Sequence, residues 1–97
     1  MKYELSTFAL EDIDLIWEYT IHKRSIKQAE KYYTEIFQTI ELICSNPEIG
    51  ISISEIKSTH RKKLIGSHMI IYKFQNSVIY IDRILHQRMD IKNHPPE

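Results

Sequence analysis

Between residues 68 and 85 two runs flank Asn76-Ser77 in which apolar side chains occupy most positions of both alternating sets, and this limits the chain's possible folds more than any other stretch. Residues 78–85, V-I-Y-I-D-R-I-L, hold one Asp-Arg pair among Val, Ile, Leu and Tyr. That is the composition of a strand buried on most of both faces, and it is expected at the sheet centre. Just before it, residues 68–75 alternate Ile70, Tyr72 and Phe74 against Met69, Ile71 and Lys73, with only Asn76-Ser77 between the two runs, as a tight hairpin requires. Residues 61–65 lead into them across Gly66-Ser67, which predicts a three-stranded antiparallel meander.

Cover for one face comes from earlier in the chain. Residues 2–6 alternate and predict a first strand, after which Ala9, Ile13, Ile16, Trp17 and Thr20 fall at helical spacing over residues 8–23. Glu11 and Asp12 stand in the first turn of that helix, where its dipole favours acids. Ser25-Ile26-Lys27-Gln28 fits a capping box, and the stripe Ile26, Ala29, Tyr33, Ile36, Ile40, Ile43 and Cys44 predicts a second helix that Pro47 ends near Ser45. The expected architecture is α+β: an N-terminal strand, an antiparallel helical hairpin, then the meander, with the helices on one sheet face. Residues 46–60 are expected to be a surface loop, with a short strand or turn in 51–56.

The other face is then apolar without visible cover. Met69, Ile71, Ile79, Ile81 and Leu85 are expected there, beneath either loops or a partner segment.

Ninety-seven residues suit one domain over 1–97, and residues 92–97, with Pro95-Pro96, are expected to be a loose tail. With 42% hydrophobic and 27% charged residues, disorder is not indicated. No export signal opens the chain, no apolar run is long enough for a membrane span, and the lone Cys44 lies on a helix stripe; a cytoplasmic protein is expected. Net charge is zero, yet residues 1–48 hold five Lys and Arg against nine Asp and Glu, and residues 49–97 hold eight against four. Such a split suggests a basic surface facing an acidic or nucleic-acid partner.

No phosphate-cradling glycine loop, nucleophile elbow or metal-ligand spacing is present, so neither metal nor cofactor is expected. What remains is Arg61, Lys62, Lys63, Arg83 and Arg88 with His60 and His86. His86, Arg88 and Asp90 would share one side if the last strand stayed extended. Arginines there suit phosphate contact, and a histidine beside them suits proton transfer in RNA cleavage. The alternative is that Lys62 and Lys63 protect a sheet edge and the rest is solvated.

Five segments carry a resemblance: A-L-E-D-I-D-L-I-W-E-Y (9–19), Q-A-E-K-Y-Y (28–33), N-P-E-I-G (46–50), I-I-Y-K-F (70–74) and R-I-L-H-Q-R-M-D (83–90). In order and spacing they resemble the ParE branch of the RelE/ParE toxin superfamily. The resemblance implies a bacterial type II toxin that acts on DNA gyrase, through its A subunit, and so blocks replication. It also implies neutralisation by a ParD-like or other short DNA-binding antitoxin within a hetero-oligomer, the antitoxin covering Met69, Ile71, Ile79, Ile81 and Leu85. Arg61, Arg83, His86 and Arg88 would then bind the target. Were the chain instead a RelE-like, ribosome-dependent endonuclease of messenger RNA, the same four would be catalytic. Gln87 stands where several nucleases of that branch have an aromatic residue, no Tyr follows Tyr80, and the chain is neutral, so the residues favour gyrase. A degenerate toxin that only binds antitoxin is the third possibility.

Overall fold

The computed structural model describes residues 2–93. Its elements are β1 (Lys2–Leu5), α1 (Thr7–Lys23), α2 (Ile26–Ser45), β2 (Ile51–Ser52), β3 (His60–Ile65), β4 (His68–Gln75), β5 (Val78–His86) and a 3-10 turn, Ile91–Asn93. The strands form one sheet in the order β1-β5-β4-β3-β2. β1 runs parallel to β5, and the other pairs are antiparallel. The expected strand, helical hairpin and meander are all present. The centre of the sheet, however, is β4, with β5 beside it.

Local signals fix the helix ends. The Ser6 hydroxyl accepts the Ala9 N–H (3.0 Å) while donating to the Asp82 carbonyl (2.6 Å), so one residue ends β1, caps α1 and ties both to β5. Ser25 caps α2 in the same way through the Gln28 N–H, and α2 stops before Asn46-Pro47. The helices lay Ala9, Ile13, Ile16, Ile36, Ile40 and Ile43 on Ile70, Tyr72, Ile79, Ile81 and Ile84. Two members of the expected α2 stripe are outside this core: Ile26 at the exposed first turn, and Tyr33, which leans on Trp17 and Phe37.

The expected far-face set is split. Opposite Ile71 and Tyr72 the register skips Asp82, a β-bulge that reverses which side of β5 meets the helices. Before it, Ile79 and Ile81 face the helical layer; after it Ile84 does, and Leu85 turns outward. Met69, Ile71 and Leu85 do share the far face, but the chain itself covers them with Ile53 and Ile91. All five predicted residues are at most 4% exposed, so they form no open surface. Lys92 and Asn93, expected in the tail, belong to the 3-10 turn that holds Ile91 in place, and 94–97 lie outside the described residues.

The N-P-E-I-G segment is pinned from beneath. The buried Tyr72 hydroxyl accepts the Gly50 N–H (2.9 Å) and donates to the Pro47 carbonyl (2.7 Å), while Arg61 donates to the Gly50 carbonyl (2.8 Å). A Cβ on Gly50 would lie 2.6 Å from the Tyr72 oxygen and 2.8 Å from the Lys62 carbonyl, so only glycine allows this approach. Tyr72→Phe orphans both backbone groups and is expected to cost about 1–3 kcal/mol in urea denaturation. A loss within error would show that the segment is held by other contacts.

Candidate functional site

Of the four predicted target-binding residues, two serve the fold. β1 stops at Leu5, so beyond Ile81 that edge of β5 has no neighbouring strand, and α1 lies along it. Asp12 fills the gap. Its carboxylate accepts the Ile84 N–H (2.9 Å) and a bidentate pair from Arg83 Nε (2.9 Å) and Nη2 (3.0 Å). The Arg83 guanidinium also lies 5.3 Å from the centre of the Phe8 ring. Arg83 is therefore part of the α1–β5 joint, and Arg61 grips the Gly50 turn; neither is an exposed phosphate contact.

The other two lie where β5 ends. The expected extended run through His86, Arg88 and Asp90 does not form: Met89 N–H returns to the His86 carbonyl (2.9 Å), and Asp90 caps the 3-10 turn through the Lys92 N–H (2.9 Å). The cause is local, since Gln87 N–H bonds to the Ser67 carbonyl (2.9 Å) and the chain turns immediately after it. Arg88 is left exposed, and its backbone N–H donates to His86 Nδ1 (3.1 Å), which places that ring's proton on Nε2.

His86 borders a groove of about 870 Å³ between α1, the start of α2 and the open ends of β4 and β5. Leu15 and Tyr19 form one wall and Met89 stands opposite; they are 67%, 65% and 44% exposed. Tyr32 and His68 are on the inner side. The Tyr32 hydroxyl donates to the Ile65 carbonyl (3.0 Å), so its oxygen accepts from His68 Nδ1 (2.6 Å), and His68 Nε2 keeps a lone pair. His68 and His86 meet edge to face, 5.3 Å between ring centres. Among the described residues no Asp or Glu lines the groove, although Arg24 does.

Burial pushes the Tyr32 phenol up, which keeps its proton available to Ile65. Burial, and then the neighbouring His86, hold the His68 imidazole below its ordinary 6.5. As pH falls the unfolded chain takes up the His68 proton first, so the contribution is intact above about 6.5 and is lost as pH drops through the depressed folded value. The wild-type urea midpoint is accordingly expected to fall more steeply between about pH 7 and 5 than that of His68→Gln. Parallel curves would contradict the assignment. Cys44 is buried in the helical core, where desolvation raises its thiol, as expected of a packing cysteine.

His68, Tyr32, Leu15 and Tyr19 were not among the expected site residues. Leu15 and Tyr19 are an i, i+4 apolar pair off the main α1 stripe, and that spacing was the available signal. The fold and groove define a small α+β protein whose open apolar surface is suited to docking another polypeptide.

The family model described as ParE toxin of type II toxin-antitoxin system, parDE, matches residues 3–91, and the chain belongs to that family. A relative named Toxin ParE1 from Mycobacterium tuberculosis (strain CDC 1551 / Oshkosh) is 36% identical over 91 residues, 93% of each chain. Another Toxin ParE1, from Caulobacter vibrioides, is 35% identical over 92 residues, 95% of each. Among solved structures, a chain of the chromosomal ParDE TA system from P. aeruginosa superposes with a TM-score of 0.77 at 16% identity. That match covers 89% of this chain and 95% of that one, and the likeness is one of fold. Among the described residues no helix is long and apolar enough to cross a membrane.

Proposed function

We propose that the chain is a cytoplasmic toxin that inhibits DNA gyrase without chemistry of its own, and that an antitoxin segment seated in the groove neutralises it. The observation that carries the reading is the family match over residues 3–91, nearly the whole of the chain. The groove supports the antitoxin part, because Leu15, Tyr19 and Met89 offer exposed apolar area with no carboxylate among them. Arg61 and Arg83 are engaged within the fold, which leaves His86 and Arg88 to meet the target.

Expression in a bacterium without the antitoxin is expected to relax reporter plasmids while messenger RNA stays intact. Unchanged plasmid topology together with cut messages would overturn the reading in favour of the endonuclease. For the groove, Leu15→Asp/Tyr19→Asp is expected to weaken capture by the antitoxin encoded beside the toxin at least about tenfold, through loss of two apolar anchors. Undiminished capture would move the dock elsewhere.

A further inference from the structure

The chain is neutral as a whole, but its charges sort by layer. Residues 2–48, which make β1 and the helices, hold five Lys and Arg against nine Asp and Glu; residues 49–93, which make the rest of the sheet and its outer cover, hold eight against three. Of those three acids, Asp82 is buried against His60, and Asp90 is turned onto the Lys92 N–H and the Asn93 amide. On the cationic side, Arg83 is paired with Asp12 and Arg61 holds Gly50, which leaves mainly lysines outside.

Two of these lysines belong to the face opposite the helices, and two more stand on the segments that cover it. Lys73 alternates with Met69 and Ile71 along β4 and shares their side, and Lys62 stands across from Ile71 in register. Lys57 is on the loop that carries Ile53 over this face, and Lys92 follows Ile91, its other cover. The Lys73 ammonium lies 5.5 Å from the ring centre of Tyr80, its cross-strand partner.

The apolar centre of this face is already closed by the chain's own cover. Ile53, Met69, Ile71, Leu85 and Ile91 are each under 10% exposed, while Ile51, across from Lys62, and Leu64 and Ile56 beside them are exposed at its margin. Protein interfaces are anchored by apolar side chains that become desolvated, whereas a phosphate backbone needs spaced cations alone. We propose that the outer sheet face binds the backbone of duplex DNA, with Lys62 and Lys73 as phosphate contacts and Lys57 and Lys92 flanking them. The choice of DNA rests on the gyrase reading: a protein that acts on gyrase works beside the duplex the enzyme holds.

The test is fluorescence anisotropy of a labelled duplex of about 20 base pairs, long enough to span the face, titrated with the full-length chain at a series of salt concentrations. Binding is expected to weaken with salt with a log-log slope of about −2 to −4, for two to four phosphates. Lys62→Glu/Lys73→Glu is expected to weaken it about tenfold or more and flatten the slope by about 2. Lys27→Glu/Lys31→Glu, on α2, is expected to change it less than about twofold. If the first pair fails a melting check, Lys57→Glu/Lys92→Glu takes its place. No binding at low salt, insensitivity to the sheet reversals, or equal sensitivity to the α2 reversal overturns the proposal. So does displacement by polyglutamate at equal charge, which would indicate an acidic protein, or tighter binding of single-stranded RNA. Gyrase supercoiling is assayed in parallel: inhibition without duplex binding defeats this proposal alone, and duplex binding without inhibition defeats the gyrase reading alone.

Discussion

Replacing Asp12 with alanine is expected to lower the free energy of unfolding by about 3–5 kcal/mol, a large part of what a domain of this size has. The loss has two sources. The Arg83 guanidinium, 16% exposed, loses the carboxylate to which it makes two hydrogen bonds, and the Ile84 N–H loses its acceptor on the strand edge that β1 does not reach. Asp12→Leu/Arg83→Met removes both charges of the pair and is expected to be more stable than Asp12→Ala by about 1–3 kcal/mol. The measurement is urea denaturation followed by circular dichroism. An Asp12→Ala loss under about 1 kcal/mol would mean that the joint between α1 and β5 is held by packing alone.

The second large effect is expected on the opposite face. His60 is 3% exposed and bonded at both ring nitrogens: Nδ1 donates to the Ser58 carbonyl (2.8 Å), and Nε2 meets Asp82 Oδ2 at 2.6 Å. Ser58 offers only an acceptor, so Nδ1 carries a proton and a second proton is shared between Nε2 and Asp82. The clasp fastens the loop that lays Ile53 over Met69, Ile71 and Leu85, and it does so next to Thr59, whose φ of 66° is unfavourable for a β-branched residue. Asp82→Ala leaves the buried imidazole unpaired and is expected to cost about 3–5 kcal/mol, with amide exchange accelerating first in residues 53–60. Uniform acceleration across the sheet, or a cost below about 1 kcal/mol, would contradict a clasp specific to this loop.

What the sequence made legible was mostly local. Ser25 and Gln28 start α2 and Pro47 stops it, each acting within a few residues of the end it sets, and the hairpin turn at Asn76-Ser77 is set by its own neighbours. The misassignments share a different cause. Asp12 reads as a dipole-favoured first-turn acid until β5, 71 residues away, brings Arg83 beside it, and Arg61 reads as a spare cation until Tyr72 and Gly50 close around it. The split of Ile79 and Ile81 from Leu85 hangs on one skipped residue, Asp82. In a strand apolar on both faces, alternation gives no sign of such a slip. The groove was partly visible in Leu15 and Tyr19, but its inner wall, Tyr32 with His68, depends on a contact between α2 and β4.

Purified gyrase tests the account most directly. Supercoiling of a relaxed plasmid is followed with the toxin alone and with the toxin mixed beforehand with its antitoxin, for both the wild type and Leu15→Asp/Tyr19→Asp. Either toxin alone is expected to stop supercoiling, antitoxin is expected to restore it for the wild type, and the groove variant is expected to go on inhibiting in its presence. Full supercoiling at saturating wild-type toxin would contradict the account.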